Sequence, residues 1–162
     1  MKRKAALLSL GCKVNSYETE YIREDMIASG FEIVDFSEAA DVYIINTCSV
    51  TNIADRKSRQ MLHKAKALNP DALIVATGCY VQTRKEEELK TDADMIIGNN
   101  HKGEVAKKIC EYFKLQDDIK AEIKSIIKLY SENIDEGDFD TRYGLERALE
   151  IIDDHIKIGG KE

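Results

Sequence analysis

The sequence predicts a layered α/β domain: a mostly parallel sheet of four to five strands flanked by helices, in Rossmann/flavodoxin-like layering, followed by an α-helical hairpin tail. Two observations carry this. Over the first two-thirds of the 162 residues, short β-like apolar runs alternate with helical stretches, the order expected when helices cross over between parallel strands. From about Leu115 the strand-like runs stop, and an acidic text containing Ile and Lys predicts helices alone.

The elements follow in order. Ala5-Ala6-Leu7-Leu8-Ser9-Leu10 reads as a buried strand ended by Gly11. Asn15-Ser16-Tyr17-Glu18 has the form of a capping box, with Asn15 as N-cap and Glu18 reaching back. The helix it opens is expected to carry Tyr21, Ile22, Met26 and Ile27 on one side and to stop at Gly30. Phe31 to Phe36 is a second strand, towards the sheet edge. Asp41 to Asn46 is the clearest core strand, and a helix from Asn52 or Ala54 to Leu68 is closed by Asn69-Pro70. Ala72 to Thr77 is the next strand, a charged helix is expected around Thr83 to Lys90, and Met95 to Gly98 is a short last strand. His101 to Lys114 should be the final helix of this domain.

These elements set a domain at residues 1–114 and an acidic helical extension at 115–162. The extension reads as two helices, Asp117–Glu132 and Thr141–Ile158, with Asn133 to Asp140 as the turn. The formal net charge of −6 is uneven: residues 1–114 balance, whereas 115–162 hold 7 basic against 13 acidic side chains. Such a tail is a poor match for phosphates, which are bound by Lys and Arg. With 43% hydrophobic and 33% charged residues the composition is that of a globular protein rather than a disordered one. The apolar run after Met1-Lys2-Arg3-Lys4 is too short for a signal peptide or a membrane span, so no membrane partner and a cytoplasmic location are expected.

In that setting four cysteines are thiols, metal ligands or catalytic groups before they are disulfides. No Cys-x-x-Cys pair occurs, so any joint site must be assembled by the fold. Cys12, Cys48 and Cys79 share one context, each just past a strand in the loop that leads to a helix. Their separations of about 30–36 residues are close to one βαβ unit, and such loops form the ligand-binding edge of open α/β sheets. Thiolates are soft ligands that select iron–sulfur clusters, zinc or copper(I). Three protein thiolates on a cubane that takes four would leave one iron open. Against this stands the ordinary use of buried cysteine as a small hydrophobe.

Ser9-Leu10-Gly11-Cys12-Lys13-Val14-Asn15, Ile45-Asn46-Thr47-Cys48-Ser49-Val50-Thr51 and Thr77-Gly78-Cys79-Tyr80 resemble the three cysteine motifs of the N-terminal domain of tRNA methylthiotransferases. Ala54-Asp55-Arg56-Lys57-Ser58-Arg59-Gln60 and Ile96-Ile97-Gly98-Asn99 fit the same pattern, and the resemblance runs over about residues 4–114. Gly-Cys-Lys-Val-Asn looks most like the branch acting on N6-threonylcarbamoyladenosine beside the tRNA anticodon. The resemblance implies that Cys12, Cys48 and Cys79 ligate a 4Fe–4S cluster whose open iron holds the sulfur or methylthio group passed to adenosine C2. Asn15, Asn46 and Thr47 would orient the cysteine loops, a role that competes with turn and cap formation.

The family's catalytic engine is a radical S-adenosylmethionine domain with a Cys-x-x-x-Cys-x-x-Cys motif, which this sequence does not contain. Radical chemistry and S-adenosylmethionine are thus expected from that domain, in cis or in trans, tRNA is expected to be reached through a full-length enzyme or a missing domain, and the chain alone is expected to be inactive. A truncated product, an excised domain or a stand-alone adaptor all fit this reading. The alternative function is a non-catalytic metal-binding or protein-interaction module, with the tail serving a partner or a second copy.

Other residues carry less. Cys110 lies in an amphipathic helix and reads as packing. His63, His101 and His155 lack ligand spacing. Arg56, Lys57, Arg59, Lys64 and Lys66 read as a solvated helix face before an RNA contact. No Gly-x-Gly-x-x-Gly follows a predicted strand, and no nucleophile–base arrangement suggests hydrolysis.

Overall fold

A computed structural model describes residues 2–49, 51–83 and 93–132. Five parallel strands form one sheet in the order β2-β1-β3-β4-β5, with β1 (Lys4–Ser9), β2 (Glu32–Val34), β3 (Val42–Thr47), β4 (Leu73–Gly78) and β5 (Met95–Ile97). The helices are α1 (Lys13–Ala28), α2 (Asn52–Leu68), α3 (Cys79–Thr83) and α4 (Val105–Glu132), with a 3-10 segment at Asn99–Glu104. The α/β class and the parallel sheet flanked by helices are those expected from the sequence; the strand order itself, 2-1-3-4-5, is flavodoxin-like.

β3 and β4 are buried at every position, as central parallel strands covered on both faces should be. Leu62 and Ala65 of α2 pack with Tyr43, Ile45, Ile74 and Ala76 in one core cluster. α1 joins β1 to β2 and α2 joins β3 to β4, steps in opposite directions across the sheet, so right-handed crossovers place the two helices on opposite faces. β2 reaches β3 through residues 35–41 with no helix. There Tyr43 Oη donates to the Glu38 carbonyl at 2.5 Å and accepts from the Ala40 N–H at 3.2 Å, fixing the turn from within the core.

The chain divides into two compact units, residues 1–108 and 109–162, at a boundary inside α4. No helix among the described residues is long and apolar enough to cross a membrane.

Several expectations need correction. Asn15 is not an N-cap: α1 begins at Lys13, its N-cap is Cys12, and Asn15 is buried in the first turn. Its amide is taken by carbonyls from two other segments, which outcompete the local box. Ile22 and Met26 are buried, but Tyr21 and Ile27 are exposed, because Thr19 and Asn15 complete the inward stripe. Towards the end of the first unit, the segment from Asn99 is 3-10 and the α-helix starts at Val105 rather than His101. That helix then passes Leu115 without interruption to Glu132, since no Gly or Pro lies between Glu104 and Glu132 to stop it. The expected helix to Lys90, the turn from Asn133, the Thr141–Ile158 helix and His155 lie outside the described residues.

Candidate metal centre

The strand order places β1, β3 and β4 side by side at the middle of the sheet, so Cys12, Cys48 and Cys79 emerge from three adjacent loops at one edge. The chain turns to opposite sides after β1 and β3, making their carboxyl ends the topological switch point where open α/β sheets bind ligands. Ser9, Asn46 and Thr77 are in register across the three strands, and Thr47 pairs with Gly78. Cys48 and Cys79 are therefore the next positions on neighbouring strands, which run about 4.8 Å apart.

The loop after β1 lies directly on Cys48. Gly11 has φ +103°, and a Cβ there would sit 2.6 Å from Cys48 Sγ, so only glycine fits. Since the next Cα is about 3.8 Å along the chain, the Cys12 Cα lies within about 8 Å of that sulfur. The loop after β4 makes a still closer approach: Gly78 has φ +102°, and a Cβ would meet the Thr47 carbonyl at 2.2 Å.

Buried amides and hydroxyls fix these loops. Asn15 Nδ2 donates to the carbonyls of Leu10 at 2.7 Å and Thr47 at 3.1 Å, binding the β1 loop to the end of β3. Asn46 Nδ2 donates to the Asn15 carbonyl at 3.0 Å, Thr19 Oγ1 at 3.2 Å and Glu18 Oε2 at 3.4 Å. Thr47 Oγ1 donates to the Thr77 carbonyl, joining β3 to β4. Cys48 is held by Ser58 of α2, whose Oγ accepts from the Cys48 N–H at 3.2 Å and donates to its carbonyl at 3.0 Å. Thr51 caps α2 by accepting from the Ala54 N–H at 3.1 Å.

The thiols differ in setting. Cys12 is exposed, Cys48 buried and Cys79 half-buried, and none of the four cysteines is in a disulfide. The backbone N–H of Asn15, followed by that of Val14, holds the Cys12 thiol below its ordinary pKa, while the Glu18 charge opposes them weakly. This is the expected benefit of a helix N-terminus to a thiolate. Cys12 Sγ also lies 3.9 Å from Asn15 Oδ1.

Among the described residues, no three His, Cys, Asp or Glu side chains are gathered closely enough to hold a metal ion as they stand. The backbone brings the three cysteines to one edge without drawing their sulfurs into a closed set. The donors nevertheless suit iron–sulfur chemistry: all are thiols, and the Gly11 approach leaves the Cys48 sulfur under the Cys12 loop.

Cys110 is half-buried on α4. His63 is exposed on α2, and His101 Nδ1 faces Glu104 Oε2 at 3.2 Å in the open. Arg56, Lys57, Arg59 and Lys64 lie on the exposed face of α2, and Lys66 pairs with Asp94 at 3.4 Å. Sequence reasoning missed Ser58, although it stands inside the Ala54–Gln60 motif, and Lys102, which pairs with Glu18 from 84 residues away.

Residues 4–98 match the model of a family described as "Uncharacterized protein family UPF0004". The chain belongs to this family. It carries the N-terminal domain of the methylthiotransferases. Similar proteins include the threonylcarbamoyladenosine tRNA methylthiotransferases MtaB of Aquifex aeolicus, 44% identical over 115 residues, and of Bacillus subtilis, 44% identical over 108. These alignments cover 70% and 66% of this chain but 28% and 24% of the relatives. The ribosomal protein uS12 methylthiotransferase RimO of Acetivibrio thermocellus is 31% identical over 130 residues, covering 78% of this chain and 29% of that protein. The chain thus spans about a quarter of the length of the curated relatives it matches. Cys12, Cys48 and Cys79 all fall within the matched segment of the UPF0004 domain.

Proposed function

We propose that residues 1–114 are the cluster-binding, sulfur-delivering domain of a tRNA methylthiotransferase that modifies C2 of N6-threonylcarbamoyladenosine. The observation that carries this reading is the emergence of Cys12, Cys48 and Cys79 from the ends of three adjacent parallel strands, with the Cys12 loop seated on the Cys48 sulfur. These three thiolates would hold a 4Fe–4S cluster, which when bound supplies an iron position open to an outside sulfur. Cys12, at a helix N-terminus whose N–H groups lower its pKa, would present a thiolate from a hydrogen-bonded loop frame. Asn15, Asn46 and Thr47 keep that frame by tying the β1 loop to β3 and β3 to β4.

Radical generation and S-adenosylmethionine would fall to a domain bearing Cys-x-x-x-Cys-x-x-Cys, in cis or in trans, and tRNA would be reached through a full-length enzyme or a missing domain. The MtaB relatives favour the threonylcarbamoyladenosine substrate over the ribosomal protein named for RimO, and such a reaction belongs in the cytoplasm. The acidic extension at 115–162 would serve a partner or a second copy.

Anaerobic reconstitution with iron and sulfide tests the site, alongside a Cys12→Ala/Cys48→Ala/Cys79→Ala variant. About four irons per chain are expected for the parent, the content of one cubane, and none for the variant. A folded parent that takes up no iron, or a variant that loads equally, overturns the reading. The chain would then stand as an interaction module built on the same scaffold.

A further inference from the structure

We propose that Lys102 and Glu18 are a positioning pair that sets the Cys12 end of α1 against the end of β3, an inference that rests on the cluster-binding reading above. Lys102 leaves the 3-10 segment after β5, and its Nζ bonds Glu18 Oε2 on α1. Its side chain is only 11% exposed, and lysine is rarely removed from water to that extent without a partner. The contact differs in this from surface ion pairs, whose net worth is small.

The same carboxylate oxygen accepts from Asn46 Nδ2 at 3.4 Å. Asn46 is fully buried two residues before Cys48, and its amide also holds the Asn15 carbonyl and Thr19 Oγ1. Asn15 in turn holds Leu10 and Thr47 by their carbonyls. One network therefore runs from Lys102 through Glu18 and Asn46 to both segments that carry Cys12 and Cys48. α1 has particular need of it. Its N-cap is a cysteine, whose sulfur is a weaker acceptor than the oxygen of Ser, Thr, Asp or Asn, and its first turn contains no acidic residue. The strong local caps of a helix start are absent where a ligand is to be presented, and the Glu18–Lys102 pair holds the next turn from outside.

Lys102→Met keeps the stem and removes the charge, and Lys102→Arg restores a cation. Glu18→Gln is a near-isosteric second variant should Lys102→Met fail to fold. Lys66→Met is the control, because Lys66 pairs with Asp94 away from the cysteine loops. Two readouts apply to the same full chain: amide hydrogen exchange at Val14 to Ser16 in the metal-free protein, and the rate of iron loss to a chelator after reconstitution. Lys102→Met and Glu18→Gln are expected to speed exchange at those amides and to hasten iron loss by about tenfold, the usual weight of a group that orients a ligand. Lys102→Arg should restore most of both, and Lys66→Met should change neither. Parent-like exchange and iron loss in both Lys102→Met and Glu18→Gln, or equal changes in Lys66→Met, overturn the proposal. If the parent itself takes up no iron, the cluster reading fails, while amide exchange still decides whether the pair holds α1.

Discussion

Gly78 carries the tightest approach among the cysteine loops, since a Cβ there would lie 2.2 Å from the Thr47 carbonyl. Gly30 has a similar left-handed backbone, φ +90°, but nothing within 4 Å of its would-be Cβ. Alanine at Gly30 should cost about 1 kcal/mol, the lower end of the penalty for a side chain in this region. Alanine at Gly78 adds overlap with backbone and should cost at least about 3 kcal/mol. Urea midpoints of the two variants compare them directly, and equal losses would show that the β4 loop can move away from β3. A second expectation concerns Cys12. Its folded pKa is depressed by the N–H groups of Asn15 and Val14, so its contribution to stability is present above the unfolded thiol's pKa and is lost as pH falls through the folded value. In the metal-free chain, alkylation of Cys12 should persist to lower pH than in the same chain unfolded in urea. Coincident pH–rate curves would mean that the helix start does not hold the thiolate.

At the scale of elements, α2 holds Cys48 through one hydroxyl, and Ser58 is fully buried. Ser58→Ala leaves the Cys48 N–H without its acceptor and should destabilise by about 1–3 kcal/mol. Thr51→Ala removes the cap of the same helix for about 1 kcal/mol but leaves the Cys48 peptide alone. Iron retention should therefore fall in Ser58→Ala and not in Thr51→Ala; loss in both would assign the effect to the helix as a whole. The contrast also shows what the sequence made legible. Strand and helix positions were readable because apolar runs and Gly or Pro stops are local signals, and α2 ends at Leu68 before Asn69-Pro70 as expected. The cysteines were readable because each follows an apolar run. The groups that hold their loops were not: Ser58 reaches back 10 residues, Asn46 reaches Asn15 across 31, and Lys102 reaches Glu18 across 84. The same distant demand on Asn15 defeated the capping box. The expected helices at 101–114 and 117–132 are one helix, because a change of composition at Leu115 without a helix breaker does not end a helix.

At the scale of the whole sheet, the order β2-β1-β3-β4-β5 is the step that no periodicity announces, and it decides whether three separated cysteines are neighbours. It also fixes where they hang in the stability of the first unit. β3 and β4 are buried at all six positions each, whereas the edge strands β2 and β5 are three residues long. Amides of β3 and β4 should exchange only through global opening and those of β2 and β5 through local fraying, so the loops of Cys48 and Cys79 are anchored to the slowest part of the fold. A ligand that binds the folded state adds its binding free energy to the openings that would release it. If Cys12, Cys48 and Cys79 hold one cluster, iron and sulfide should slow exchange in residues 10–13, 47–49 and 78–80 together, at the same iron-to-chain ratio. Protection limited to two of these segments would show that the third cysteine is not a ligand and that the fold presents a two-thiol site. Protection in all three that survives Cys79→Ala would show instead that the loops merely tighten around one another. Loss of protection in all three on replacing any one cysteine is the outcome a single shared site requires.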